Sequence, residues 1–166
     1  MNTSPTELTF THNEYGKPSL NACRGNRLCF NVSHSAERVL YAVAYGREVG
    51  VDIEYIRPFE NAEEIVERFF SEQEKVEFRN LPSQLKNNTF FIWWTRKEAY
   101  AKAIGLGMSV PFDNFSVSSI SDEPFTPIRC EDATRWIIKD VKVDSKYVAA
   151  VAAEGSKMNL YFWRWV

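Results

Sequence analysis

The longest regular pattern of apolar and polar positions covers residues 90–107, FFIWWTRKEAYAKAIGLG. Side chains four residues apart share one face of a helix, so Trp94, Glu98 and Lys102 form one row. The alanines that alternate through this run favour a helix, and Gly105 followed by Gly107 supplies the left-handed residues that commonly end one. The pattern therefore predicts a long helix that starts near residues 84–89 and ends at Gly105.

Shorter patterns on both sides of this helix predict strands. Apolar, β-prone runs cover residues 28–32 and 38–45, joined by residues 33–37. After a turn at Gly46, EVGVDIE alternates strictly, so we expect a half-buried strand with an acidic face. Beyond the helix, strands are predicted in the runs 115–120, 134–143, 147–153 and 158–165. The last three runs are closely spaced, which favours an antiparallel meander that covers the helix.

Two short helices are predicted between these strands and the long helix. Residues 61–70 have a plausible cap at Asn61, and Ser71 with Glu74 has the spacing of a capping box. The aromatic side chains are expected in the core, and those assigned to packing are Phe69, Phe91, Trp93 and Trp163. The predicted fold class is α+β, with antiparallel strands packed on a long helix.

Composition excludes several classes of protein. A chain of 166 residues with 45% hydrophobic content can bury a core as one domain or as two small lobes. With 20 basic and 22 acidic residues it has no basic excess typical of nucleic-acid partners. There is no run of about 18 apolar residues and no signal-peptide core near the start, so a cytoplasmic protein without a membrane partner is expected.

Two acidic positions point to metal chemistry. Asp52 and Glu54 share one face of the predicted strand, next to Gly50, which allows another group to approach closely. Adjacent carboxylates repel each other unless a cation lies between them, and Mg²⁺ is a hard cation that takes oxygen ligands. The alternative is the solvated face of an ordinary strand. Glu98 and Lys102 also allow two interpretations, a functional pair or an ordinary ion pair on an exposed helix face. Exposed ion pairs at this helical spacing are common.

Two further segments could bind phosphate. His34 lies among small hydroxyl residues in NVSHS, and Lys17 follows Tyr15 and Gly16 in YGKP. An imidazole beside hydroxyls, or an ammonium group, can hold a phosphate oxygen. A histidine in a turn and a solvated lysine are the simpler alternatives.

Order and spacing are more specific than any single motif. YGKP, FNVSHS, VGVDIE followed by RP, RFFSEQE and FFIWWTRKEAYAKAIGLGM occur in this order over about residues 9–118. Together they resemble the 4′-phosphopantetheinyl transferases of the surfactin-synthetase-activating (Sfp) type. The pair GVDIE and WTRKEAYAKAIGLG is the signature of that family.

The resemblance implies a holo-[acyl-carrier-protein] synthase type of activity. Such an enzyme transfers 4′-phosphopantetheine from coenzyme A to a serine of an acyl or peptidyl carrier protein and releases adenosine 3′,5′-bisphosphate. Mg²⁺ is the implied cofactor. The implied pathways are fatty acid, polyketide and nonribosomal peptide biosynthesis, and the motifs do not indicate which carrier is used.

The resemblance also implies roles for individual residues. The implied metal ligands are Asp52, Glu54 and Glu98. Glu98 would also take the serine proton, and Lys102 would neutralise or protonate the leaving phosphate. The implied contacts to coenzyme A phosphates come from Lys17, Ser33 and His34. Lys97 is a motif residue without an assigned role.

The expected architecture has two lobes with the first incomplete. Residues 1–56 would form a partial N-terminal lobe, and residues 57–166 a C-terminal lobe. Members of this family usually have a longer first lobe, so the expected alternatives are a naturally short member, one that completes its cleft by self-association, or a truncated one that binds coenzyme A poorly. A non-catalytic module that binds a carrier or a partner is the main alternative, and another Mg²⁺-dependent phosphotransferase or hydrolase is a third.

Overall fold

The computed structural model describes residues 4–20, 28–118 and 136–164. The strands within these ranges are β1 Phe10–His12, β2 Pro18–Leu20, β3 Leu28–Ser35, β4 Arg38–Tyr45, β5 Val49–Tyr55, β6 Trp136–Asp140 and β7 Tyr147–Glu154. The α-helices are α1 Ala62–Phe69, α2 Glu72–Arg79 and α3 Ser83–Ile104. Short 3₁₀ turns occur at Pro5–Glu7, Gly107–Ser109 and Phe112–Asn114.

Helix α3 is the long helix that the sequence predicts. It ends at Gly105, which has φ 74° and donates its backbone N–H to the carbonyl oxygen of Ala101 at 3.0 Å. A residue with a side chain is disfavoured in this left-handed conformation, so the glycine fixes the end of the helix. The predicted end of α3 is confirmed.

The main sheet packs on α3. Its strand order is β5-β7-β6, and both pairs are antiparallel, so β7 is the central strand. The strand predicted at 134–143 is present as β6 over residues 136–140, with 134 and 135 outside the described residues and 141–143 irregular, and the strand predicted at 147–153 is present as β7. The α+β class, with antiparallel strands packed on a long helix, is confirmed.

Two predicted strands do not form within the described residues. Residues 115–118 and 158–164 are irregular, and residues 119, 120 and 165 lie outside the described ranges. In the first segment the backbone hydrogen-bonding groups have other partners. The carbonyl oxygen of Phe115 accepts a hydrogen bond from Lys97, and the N–H of Val117 donates one to Glu74. These bonds replace the ladder that a strand would need.

Gly50 sets the distance between β5 and α3. A Cβ atom at this position would lie 2.8 Å from Ala103 Cα and still closer to the backbone oxygen of Ala99. Only a residue without a side chain permits this approach. Helix α3 therefore covers the acidic face of β5, and Asp52 is 4% exposed. The expected half-buried strand is wrong, since residues 49–53 are all buried.

The β3–β4 hairpin lies along the other edge of β5. Strand β3 continues to Ser35, and the turn consists of Ala36 and Glu37, so the predicted connection over residues 33–37 is shorter than expected. The NVSHS residues are therefore part of a strand. Alternate side chains of this strand point toward β5, and the others point away from it.

The aromatic core is only partly as predicted. Phe91 and Trp93 are 3% and 5% exposed, which confirms their assignment to packing. Phe69 and Trp163 are 43% and 88% exposed, so their assignment was wrong. Phe70, which follows the last residue of α1, is buried in place of Phe69 and stacks on the ring of Phe90.

The short helices differ in how they begin. The side chain of Asn61 makes no capping hydrogen bond to α1. Ser71 and Glu74 form the predicted capping box at the start of α2. Their reciprocal hydrogen bonds satisfy backbone donors that the first turn of a helix leaves open.

The division into lobes near residue 56 stays a prediction. Strand β5, assigned to the first lobe, forms hydrogen bonds to β7 of the second. In the part of the chain that the structure describes, no helix combines the length and apolar character needed to cross a membrane.

Replacing Gly50 by alanine should destabilise the protein strongly. The new methyl group would overlap the α3 backbone, which cannot turn aside as a side chain can, so we expect a loss of about 3 kcal/mol or more. Gly46→Ala is the control, because space is open there and only the positive φ is unfavourable, at a cost of about 1 kcal/mol. Urea unfolding followed by circular dichroism measures both changes. Equal losses in the two variants would contradict the packing argument.

Candidate active site

Strand β5 and helix α3 bring acidic and basic side chains together. The Nζ atom of Lys102 donates hydrogen bonds to Asp52 Oδ1 at 2.6 Å and to Ser33 Oγ at 2.9 Å. Ser33 in turn donates to Asp52 Oδ1 at 2.9 Å. Asp52 is therefore held on one side by an ammonium group from α3 and a hydroxyl from β3.

Two carboxylate oxygens at this place have no hydrogen-bond partner among the described residues. They are Asp52 Oδ2 and Glu98 Oε1, and both atoms are buried. A buried oxygen without a partner is unfavourable, because it has lost its hydrogen bonds to water and forms none with the protein. Such atoms often mark the position of a ligand or ion.

Burial raises the pKa of all three carboxyl groups, and repulsion between them adds to this for Glu54 and Glu98. Burial raises the pKa of Glu98 to about 7, and the nearby charges of Asp52 and Glu54 contribute, while Lys102 opposes them. Burial also raises the pKa of Asp52, in spite of its ion pair with Lys102. For Glu54 burial again leads, followed by repulsion from Asp52. The charge of Asp52 thus acts on both Glu54 and Glu98, so the three side chains are treated as one acidic cluster.

The structure leaves His34 and Lys17 outside this cluster. His34 is exposed on β3, on the face opposite to that of Ser33. Lys17 lies at the C-terminal end of α3, where its Nζ donates to Glu48 Oε2 at 2.7 Å and to the carbonyl oxygen of Ala103. Their predicted contacts to phosphate, like that of buried Ser33, stay predictions.

Comparison with known families adds independent information. The sequence model of the family described as ACPS, 4′-phosphopantetheinyl transferase superfamily, matches residues 48–152, a range that includes β5, α3 and all but the last two residues of β7. The chain belongs to the 4′-phosphopantetheinyl transferase superfamily. The family predicted from the motifs is thereby confirmed.

Individual members of the superfamily align with most of this chain. The 4′-phosphopantetheinyl transferase HetI of Nostoc sp. is 35% identical over 170 residues, which cover 99% of this chain and 68% of HetI. The transferase ffp of Bacillus subtilis is 35% identical over 147 residues, covering 89% of this chain and 63% of ffp. The transferase Sfp of Bacillus subtilis (strain 168) is 32% identical over 148 residues, covering 89% of this chain and 64% of Sfp. The chain thus spans about two thirds of the length of these 4′-phosphopantetheinyl transferases.

The carboxylates of this superfamily member suit a hard divalent cation. Within the described ranges no three His, Cys, Asp or Glu side chains are grouped so that they could hold a metal by themselves. Mg²⁺ does not require such a cage, because it usually binds one or two protein carboxylates together with water and substrate phosphates. Asp52 and Glu98 each offer a buried oxygen without a partner, which is the donor type that this ion prefers.

Lys97, adjacent to Glu98 in the transferase motif, has a structural position. Its side chain and that of Glu74 are both 0% exposed, and their charged atoms are 2.8 Å apart. Lys97 Nζ also donates to the carbonyl oxygens of Phe112 and Phe115, each at 2.7 Å. Burial lowers the pKa of Lys97 to about 8, against the attraction of Glu74. Lys97 therefore joins α2, α3 and the segment that follows α3.

Sequence reasoning missed two kinds of residue in this member of the superfamily. It did not identify Glu74 as the partner of Lys97, because the partner lies on another helix. It also missed Ser35, whose Oγ donates to Glu54 Oε2 at 3.2 Å. The alternation of Asn31, Ser33 and Ser35 in an apolar strand was a signal that could have revealed a buried polar face.

The free energy of unfolding should depend on pH through Glu98. Its folded pKa of about 7 exceeds the ordinary value of 4.5, so the stabilisation due to the bound proton is complete below pH 4.5 and is lost as the pH rises through 7. The free energy of unfolding of Glu98→Gln should therefore rise relative to that of the wild type as the pH increases. The relative gain should be at most about 3 kcal/mol at pH 8. Urea unfolding between pH 5 and 8 in a metal-free buffer measures the difference. Glu64→Gln, an exposed change on α1, is the control; a pH-independent difference for Glu98→Gln would contradict the burial of its charge.

Removing the ammonium group of Lys97 should lower the free energy of unfolding. Lys97→Met leaves the buried carboxylate of Glu74 without its positive partner, although Ser71 and Val117 still donate to it, and it removes a donor from two carbonyl oxygens, which costs about 3–5 kcal/mol. Adding Glu74→Gln should recover part of this loss, since an amide carries no charge. Denaturant unfolding of both variants checks this. If the free energy of unfolding of Lys97→Met lay within about 1 kcal/mol of the wild-type value, a structural role for the Lys97–Glu74 ion pair would be excluded.

Proposed function

We propose that this chain catalyses Mg²⁺-dependent transfer of 4′-phosphopantetheine from coenzyme A to a serine of an acyl or peptidyl carrier protein. The observation that carries the proposal is the meeting of β5 and α3 at Asp52 and Glu98, whose buried oxygens lack partners beside the ammonium group of Lys102. Membership of the superfamily supports the same reaction type.

The proposed reaction is an in-line displacement at phosphorus. The serine Oγ forms a bond to the phosphorus atom that carries the pantetheine group. The bond from this phosphorus to the bridging oxygen of the diphosphate breaks, and adenosine 3′,5′-bisphosphate leaves with the electron pair. Such a reaction depends mainly on alignment and on neutralisation of negative charge.

Asp52, Glu54 and Glu98 would hold the magnesium ion together with water and substrate phosphate, because the described residues do not form a closed metal site of three such side chains by themselves. When bound, this ion neutralises charge on the diphosphate and helps to orient it. Asp52 keeps Oδ2 available while Oδ1 accepts the hydrogen bond from Lys102. Glu54 is half-buried beside Asp52 and is influenced by its charge, which is consistent with a shared cation.

Glu98 would accept the proton of the attacking serine, directly or through water. A general base is most effective when its pKa lies near the working pH, and in the site without a cation, burial together with Asp52 raises the pKa of Glu98 to about 7. Lys102 would neutralise or protonate the leaving phosphate. Its ammonium is on the same face of α3 as Glu98, one helical turn away.

The phosphate contacts proposed for Lys17, Ser33 and His34 have different structural settings. Ser33 is 5% exposed and already bound to Asp52, so any contact to coenzyme A would be made at the edge of the metal site. His34 is exposed and accessible to an anion. Lys17 would have to exchange its contact with Glu48 for a phosphate. A cytoplasmic location and self-association stay predictions.

The transfer proposal is tested by weighing a carrier protein. Incubation with coenzyme A, Mg²⁺ and an apo carrier should add the mass of one phosphopantetheine. Asp52→Asn and Glu98→Gln should lower the transfer rate by about a thousandfold or more, since each removes a ligand and Glu98→Gln also removes the base. Glu64→Gln, on the exposed face of α1, should keep the wild-type rate.

Three results would count against this proposal. Wild-type rates in Glu98→Gln would remove that residue from the chemistry. No added mass on several acyl and peptidyl carriers, combined with binding of one of them in calorimetry, would favour a non-catalytic carrier-binding module. Release of inorganic phosphate from coenzyme A would favour a hydrolase.

A further inference from the structure

Side chains of β3 occupy the free edge of β5. The other edge of β5 pairs with β7, so its outward backbone N–H groups need different partners. Val51 N–H donates to Asn31 Oδ1 at 2.9 Å, and Ile53 N–H donates to Ser33 Oγ at 3.3 Å. Tyr55 N–H donates to Ser35 Oγ at 3.0 Å in the same way. Side chains replace a strand ladder along this edge.

The two serines of this row also hold the acidic side chains. Ser33 Oγ donates to Asp52 Oδ1 at 2.9 Å, and Ser35 Oγ donates to Glu54 Oε2 at 3.2 Å. A hydroxyl group has one proton to donate. Because each oxygen accepts from a backbone N–H of β5, the proton of that serine is directed to the neighbouring carboxylate.

The repeat follows from strand geometry. Ser33 and Ser35 are two residues apart on β3, and Asp52 and Glu54 are two residues apart on β5, so the same contact recurs at each step. Each serine therefore links the orientation of one carboxylate to the backbone of the strand that carries it. The serine contact matters most for the orientation of Glu54, because this side chain is only half-buried. Asp52 has an additional hydrogen bond from Lys102, which Glu54 does not share.

We infer that Ser35 is a positioning residue for the cation site, which it serves by holding the Glu54 carboxylate toward Asp52. The inference rests on the proposed function, since that function places a divalent cation at these carboxylates. Groups that orient metal ligands through hydrogen bonds typically change metal affinity by about 10- to 100-fold when they are removed. Ser35 itself would touch neither the metal nor coenzyme A.

The test measures binding of Mn²⁺, used in place of Mg²⁺, by the electron paramagnetic resonance signal of the free ion. Ser35→Ala should weaken Mn²⁺ binding by about 10-fold or more, and should raise by a similar factor the Mg²⁺ concentration that gives half-maximal transfer. Ser35→Thr keeps the hydroxyl group and should restore both values to within about threefold of the wild type. Val32→Thr, on the opposite face of β3, is the matched control.

Four outcomes separate the positioning role from the proposed function. Transfer by the wild type with a changed metal dependence in Ser35→Ala supports both. Transfer with an unchanged metal dependence in that variant overturns the positioning role alone, and a lower thermal stability would then mark Ser35 as merely structural. If Ser35→Ala binds Mn²⁺ more weakly than the wild type and neither protein transfers phosphopantetheine, the positioning role is supported and the proposed transferase activity is overturned. A wild type that neither binds Mn²⁺ nor transfers overturns both.

Discussion

The close approach of β5 to α3 at Gly50 is the constraint on which the site depends. Without a Cβ atom, the strand backbone lies directly against the backbone of Ala99 and Ala103. Asp52 comes from the strand and Glu98 from the helix, so any side chain at position 50 would separate them. The spacing between two carboxylates is therefore set by backbone contact, which is far stiffer than contact between flexible side chains.

This proximity has an electrostatic cost. The charge of Asp52 acts on Glu54 and Glu98, while Lys102 supplies a cation on one side. Burial favours the protonated form of all three acids, repulsion adds to this for Glu54 and Glu98, and the ion pair with Lys102 does not reverse the effect of burial for Asp52. A binding partner with positive charge would lower the free energy of such a cluster. This cost is consistent with the proposed binding of a divalent cation at these carboxylates.

The sequence predicts those features that local pattern determines. Gly105 ends α3, and Ser71 with Glu74 begins α2, because each depends on residues within one turn of the helix. The acidic pair on β5 was also visible from alternation alone. The contacts of Glu74 with Lys97 and of Ser35 with Glu54 were not, because they join segments far apart in the chain. A local pattern identifies a buried polar residue, but it does not name the partner.

The position of Lys97 also limits how α3 can move. Lys97 and Glu98 are neighbours in the chain, yet their side chains leave the helix in different directions, one to the carbonyl oxygens of Phe112 and Phe115 and the other to the acidic cluster. Rotation of α3 about its axis would pull the ammonium group away from its buried acceptors. The contacts of Lys97 therefore oppose rotation of α3 about its own axis. The acidic cluster would adjust to an incoming molecule by changes of side-chain rotamers, without movement of the whole helix.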